Sequence, residues 1–224
     1  MDGSKDRMNY DASNIFSDIY RNDKWTNGSG PGSIASLNSV FLEYLRKFID
    51  DNQINSIADI GCGDFQLLRN FPLGTCNYIG FDVVLSIIEK NRRTWANNSI
   101  EFSNMPTNLD DLPNKDLYII KDVLIHLPNS LSKEILDSIL KRCKFAIIVN
   151  NNSSDMDNIN SDISPGQFRP VDVSLDPFNF KVMDTILYGQ ACYYDPKWPK
   201  FLAILLRKRV WPGEKHIQIL VGGR

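Results

Sequence analysis

Ile57-Ala58-Asp59-Ile60-Gly61-Cys62-Gly63 carries an apolar run into a Gly-x-Gly turn, and a second apolar run closes on Asp82, 19 residues after Gly63. Glycines at such a turn let backbone approach a ligand with no Cβ in the way. A carboxylate about 20 residues on, ending the neighbouring strand, is placed to accept hydrogen bonds from ribose hydroxyls. Types and spacing together point to a cofactor containing adenosine. A dinucleotide fingerprint wants a third glycine, but that position is Gln66, and the turn carries Asp64 and Phe65. An acid there repels phosphate and suits a positive sulfonium or an ammonium. The competing reading is a glycine-rich turn in an unrelated α/β domain; motif and spacing together favour the cofactor.

Asp59-Ile60-Gly61-Cys62-Gly63-Asp64 resembles the first motif of the class I S-adenosylmethionine-dependent methyltransferases, and Gly80-Phe81-Asp82 resembles the acidic end of their second strand. The resemblance implies S-adenosyl-L-methionine as cofactor and S-adenosyl-L-homocysteine as product. Gly61 and Gly63 would lie against the amino-acid portion, Asp59 and Asp64 beside the turn, and Asp82 on the ribose. The family often sets an acid after the third strand to bind the adenine amino group. Phe102-Ser103-Asn104-Met105-Pro106 has none, so Asn104 and Met105 are expected to meet the adenine. The stretch from Ile120 to Pro128, with Asp122, Val123, Leu124, His126 and Leu127, resembles the segment in which an acid follows the fourth strand and a Val-Leu-x-His-Leu run opens a helix. Asp122 is expected to face the methyl donor. His126, four residues on, shares its face if the segment is helical and accepts protons near neutral pH. A structural role for His126, bonding a backbone group, is the equal alternative.

Two segments lie outside the common pattern. Trp25-Thr26-Asn27-Gly28-Ser29-Gly30-Pro31-Gly32-Ser33 is a glycine-rich approach whose free amides suit an anion, or simply a linker. Gly166-Gln167-Phe168-Arg169-Pro170-Val171-Asp172 sets an arginine, an aromatic and an acid in an otherwise featureless stretch. Both resemble a subgroup of small bacterial methyltransferases with a Ser-Gly-x-Gly-Ser approach and an Arg-Pro-x-Asp element. Trp25, Arg169 and Asp172 are therefore expected at the substrate, Arg169 as an anchoring fork for carboxylate or phosphate.

The elements that position these residues alternate. Strands are expected over 56–61, 78–83, 100–103, 117–121 and 145–150, nearly continuous in apolar character, as strands buried on both faces are. Helices are expected over 36–50, 65–71, 85–97 and 130–143. Runs at 180–188 and 201–208 suit an antiparallel pair completing the sheet. The expected fold is α/β: one doubly wound, mostly parallel seven-stranded sheet with a reversed last strand and helices on both faces. Residues 1–33 form the N-terminal approach, 34–210 the methyltransferase domain with a long loop at 151–177 as a candidate lid, and 211–224 a tail.

The 224 residues carry a formal net charge of −2, which gives no electrostatic support to nucleic-acid binding. Arg207-Lys208-Arg209 reads as a solvated strand end. Cys62, Cys76, Cys143 and Cys192 are widely separated, suggesting neither a zinc site nor a disulfide framework. No metal requirement is expected. No apolar leader or membrane-length run is apparent, and a cytoplasmic setting is the default. The function expected is methyl transfer to an O or N nucleophile of a small polar acceptor: a sugar, a nucleotide-sugar or a phosphorylated amino alcohol. The rivals are a protein or RNA methyltransferase and a non-catalytic cofactor-binding protein. A nicotinamide-dependent oxidoreductase stands further off because of Gln66.

Overall fold

The structure, a computed structural model, describes the backbone of residues 3–152, 158–189, 193–194, 209–211 and 214–224, with side chains at 12–152, 158–189 and 214–224. Helix α1 (Gly3–Arg21) leads through two short 3-10 turns into α2 (Ser39–Asp51). Strands β1 (Ser56–Ile60) and β2 (Asn77–Asp82), helix α3 (Leu85–Trp95), β3 (Ile100–Asn104), β4 (Lys115–Lys121), α4 (Asn129–Leu140) and β5 (Cys143–Asn151) follow. The chain ends with β6 (Val182–Gly189), a small ribbon of β7 (Tyr193–Tyr194) and β8 (Arg209–Trp211), and β9 (Glu214–Val221).

Seven strands form one sheet in the order β3-β2-β1-β4-β5-β9-β6. β1 to β5 pair in parallel, and β9 runs antiparallel to both β5 and β6. The central strands are Ile- and Val-rich because both faces are covered. Ile57, Leu117, Ile119 and Ile147 pack under α2, which buries Phe41, Leu45, Phe48 and Ile49. Ala58, Ile60, Tyr118 and Ile120 meet Leu131, Ile135, Leu136 and Ile139 of α4, together with Ala12, Phe16 and Ile19 of α1. In a parallel sheet of this kind all the β–α turns gather along one edge, where ligands bind.

Several expectations are corrected. The strand that completes the sheet beside β6 is Glu214–Val221, in the segment expected as a tail. Its polar residues are buried because each has a partner: His216 Nε2 meets the Val171 carbonyl at 2.7 Å, and the Gln218 side chain bonds the Val173 amide and Asp172. The run expected at 201–208 lies outside the described residues. Residues 65–71 form successive turns rather than a helix, with Phe65 at φ 61° and buried among Tyr78, Trp95 and Phe102. The segment before residue 33 is largely the long helix α1. The end of the 151–177 stretch is not featureless either: Asn160 donates from one amide nitrogen to the Asp172 and Asp176 carbonyls and accepts from the Asp172 amide.

Candidate active site

A cavity of about 240 Å³ opens at the carboxyl edge of the sheet, roofed by α1 and the glycine-rich approach. The turn after β1 forms one wall. Gly61 and Gly63 have φ values of 73° and 55°, where a side chain is strained. A Cβ on Gly61 would stand 2.3 Å from a Val123 methyl, and one on Gly63 2.2 Å from Ser29 Oγ. The approach segment therefore closes directly onto the turn. Tyr20 and Ser29 hydroxyls lie 2.8 Å apart, and Ser29 Oγ donates to Asp64 at 2.8 Å.

Asp82 closes β2 against this wall. Its carboxylate accepts from the amides of Gly63 at 3.1 Å and Val84 at 2.9 Å, and it lines the cavity although it is only 8% exposed. Burial raises its pKa to about 6, against the pull of those amides. No cation is in contact with it among the described residues. Asp59 lies within β1, away from the cavity, where the Tyr78 hydroxyl donates to it at 2.8 Å, and burial raises its pKa to about 7. Its neighbours are protein groups rather than the cavity.

Asp122 ends β4 in the opposite electrostatic setting. It adopts a left-handed backbone (φ 58°), costly for a residue with a side chain. Lys121 Nζ sits 2.6 Å from one carboxylate oxygen and Lys215 Nζ bonds the other. Burial pushes the Asp122 pKa up, but the two ammonium groups outweigh it and hold the carboxyl at about 2. Burial in turn lowers Lys215 to about 8, opposed by Asp122. Lys121 also donates to the Gly32 carbonyl at 2.6 Å, fastening the approach segment to the sheet edge.

His126 lies in a 3-10 turn, Leu124–His126, and not in a helix; it still lines the cavity with Asp122. Its Nδ1 is 2.8 Å from the Gln167 carbonyl. A carbonyl only accepts, so Nδ1 carries the hydrogen and Nε2 keeps its lone pair. Burial lowers the pKa below the usual 6.5, the Gln167 bond opposing, and the ring is neutral near pH 7. Trp25 packs against it with centroids 5.1 Å apart and an interplanar angle of 30°, and the Phe168 ring lies 6.1 Å away.

The fold thus brings Trp25, Gly61, Asp82, Met105, Asp122 and His126 to one cavity, with the Gly63 amide bonded to Asp82. Asp59, Asp64, Asn104, Arg169 and Asp172 do not line it. Asn104 is exposed at the end of β3, and Asp64 is held by Ser29. Arg169 is the largest correction. Its guanidinium is buried (2% exposed), donating to the Leu124 carbonyl at 2.6 Å and to Asn129 Oδ1 at 2.5 Å, over the Phe178 ring. A guanidinium has enough donors to cross-link loop and helix, and that is how this one is used. Asp172 caps its own turn through Ser174 and accepts from Gln218. Lys121, Asn151 and Lys215 were not anticipated, yet all line the cavity. Lys215 had a legible signal: a lysine followed by His-Ile-Gln-Ile-Leu-Val, an alternation that buries it if the run is a strand.

No family model matches the chain. It is 27% identical over 139 residues to Des-methyl DIF-1 methyltransferase A of Dictyostelium discoideum, a match covering 57% of this chain and 38% of that protein. The chain therefore aligns with well under half of that curated relative's length. Among solved structures, a SAM-dependent methyltransferase from Anabaena variabilis superposes with a TM-score of 0.61 at 14% identity, covering 94% of each chain. Magnesium protoporphyrin IX methyltransferase from Synechocystis with bound SAH superposes with a TM-score of 0.54 at 13% identity, covering 98% of each. The fold is that of the class I S-adenosylmethionine-dependent methyltransferases.

Proposed function

We propose that this chain is an S-adenosylmethionine-dependent methyltransferase acting on an O or N nucleophile of a small acceptor. The observation that carries the reading is Asp82. A carboxylate at the rim of a left-handed glycine turn, buried, lining a cavity and held among the described residues by amides alone, suits a pair of ribose hydroxyls. The methyltransferase fold and the Dictyostelium relative support the same reading. Met105, Val83 and Leu109 offer an apolar wall for a purine, in place of the acid that the sequence lacks. The backbone of Gly61 lies where an amino-acid portion would pass.

Bound there, S-adenosylmethionine would supply a methyl carbon made electrophilic by positively charged sulfur. The chain's residues then have to orient the acceptor and, where needed, take its proton. His126 suits the role of proton acceptor, because its tautomer is fixed by Gln167 and its Nε2 is free of a proton at neutral pH. Asp122, held at a pKa of about 2 by two lysines, is a weak proton acceptor and instead orders the cationic end of the cavity. A small acceptor is favoured by the roof of α1 and the approach segment. The phosphate guess loses its anchor with Arg169.

A thermal-shift comparison of S-adenosylhomocysteine, NAD and ATP tests the reading. A ligand at a hundredfold its Kd adds about 2.7 kcal/mol of stability. S-adenosylhomocysteine should raise the Tm and NAD should not; preferential stabilisation by NAD would overturn the assignment.

A further inference from the structure

His126 is carried by the short 3-10 turn Leu124–His126, whose own bonds run from the His126 amide to the Val123 carbonyl and from the Leu127 amide to the Leu124 carbonyl. So short a turn does not fix a side chain by itself. Leu124 and Ile125 are buried, so their carbonyls need donors from other parts of the chain. Residues 166–169 supply them. The Arg169 guanidinium donates to the Leu124 carbonyl at 2.6 Å, and the Arg169 amide to the Ile125 carbonyl at 3.1 Å. The Gly166 amide donates to the His126 carbonyl at 2.9 Å. The Gln167 carbonyl accepts from the ring Nδ1 at 2.8 Å. One short segment thus holds every carbonyl of the turn and the imidazole as well.

Arg169 also reaches past the turn. Its other terminal nitrogen bonds Asn129 Oδ1, on the first residue of α4. The planar fork therefore spans Leu124 and Asn129, the positions on either side of His126. Arg169 is buried, and no ion pair to its guanidinium is present among the described residues. Burying a charge without a counter-charge is costly. A neutral side chain would close the loop at less cost, but it would not brace both ends of the segment that carries His126. Burial is the main reason that the ring stays neutral near pH 7; Lys215 and Arg169 add to it, against the Gln167 bond and Asp122. The clamp is itself covered. Gly166 has φ 82°, and a Cβ there would stand 2.7 Å from an Ile15 methyl of α1.

We infer that Arg169 is a positioning residue for His126: together with the Gly166–Gln167 backbone it clamps the 124–126 turn, so that the ring is held in its Nδ1–H form with Nε2 as its proton acceptor. The use of that acceptor in catalysis rests on the methyltransferase reading above, whereas the clamp is measurable in the ligand-free protein.

The test is a long-range proton–nitrogen correlation of the imidazole rings at pH 8, in ligand-free protein carrying 15N-labelled histidine. The chain has 2 histidines, and they carry opposite expectations. His126 should be in the Nδ1–H form, and His216, whose Nε2 meets the Val171 carbonyl, in the Nε2–H form. Arg169→Met should leave His216 as it is and cost His126 its single form, giving a mixture of the two tautomers. Should that variant fail to fold, Asn129→Ala removes the acceptor of one prong and leaves Arg169 in place; it should move His126 in the same direction by less. An Arg169 that only supports the fold would lower the Tm without changing the His126 tautomer. An unchanged tautomer in folded Arg169→Met, or in Asn129→Ala where the former does not fold, would overturn the inference. So would a His126 in the Nε2–H form in the unaltered protein. Loss of both histidine signatures together would overturn it too, since Arg169 would then support the loop as a whole. Failure of S-adenosylhomocysteine to raise the Tm would instead remove the methyltransferase reading and leave the tautomer result standing.

Discussion

Two carboxylates end neighbouring regions of the same sheet edge, and the protein treats them in opposite ways. Asp82 is buried against backbone amides with no cation in contact among the described residues, and its pKa rises to about 6. Asp122 is buried between Lys121 and Lys215, and its pKa falls to about 2. Burial alone raises a carboxylate pKa, so the difference comes from what each acid is given to face. Asp82 accepts from two backbone amides and lines the cavity. Asp122 commits its oxygens to two lysines.

The contrast is most sharply broken by pH. For Asp82 the folded pKa lies above the ordinary 3.8, so its contribution to stability is complete below about pH 4 and is lost as pH rises through about 6. The shift corresponds to about 3 kcal/mol. For Asp122 the folded pKa lies below 3.8, so its contribution is present above about pH 4 and is lost as pH falls toward 2. That shift corresponds to about 2 kcal/mol. Urea unfolding of the ligand-free protein from pH 3 to 8 should show the decline above pH 4 becoming shallower in Asp82→Asn, where only the part due to Asp59 (pKa about 7) remains, and staying unchanged in Asp122→Asn. Identical curves for the two variants would erase the distinction.

Cofactor affinity gives the next largest effect. Asp82→Ala removes a charged acceptor for two hydroxyls and should cost about 1.5–3 kcal/mol of S-adenosylhomocysteine binding, roughly 10- to 150-fold in Kd by calorimetry at pH 8. Asp122→Asn should change that Kd by less than about threefold, because its oxygens face the lysines. Gly61→Ala combines left-handed strain with a clash on Val123 and should lower stability by about 1–3 kcal/mol, read as a drop in Tm. The smallest effect sharpens the account of Asp122: Lys121→Met removes one of its two cations and should raise its pKa by about 1, seen in the carboxyl carbon shift.

The turn at Gly61 and Gly63 and its contact with Asp82 were legible because such a backbone geometry demands glycine and an acid at set distances, and those residue types are visible in any single sequence. β1 to β5 were legible for a related reason, since strands buried on both faces have to be apolar throughout. β9 was missed because Lys215, His216 and Gln218 look like solvent residues until the partners that bury them are known. Arg169 misled in the converse sense. Its fork suits an external anion, but the loop folds back so that Leu124 and Asn129 receive it. The turns at 65–71 were read as a helix from their apolar residues, whereas Phe65 is buried from a left-handed backbone. Polar residues that bond across distant elements carry no local signature, and the Asp122–Lys215 end of this cavity is built from them.

The most direct measurement is the titration of the Asp82 carboxyl carbon by NMR, with and without S-adenosylhomocysteine. The ligand-free protein should titrate near pH 6. Hydroxyls donated to the ionised acid should pull the midpoint down by at least one unit when the ligand is bound. A midpoint that does not move while the ligand is demonstrably bound would contradict the placement of its ribose at Asp82.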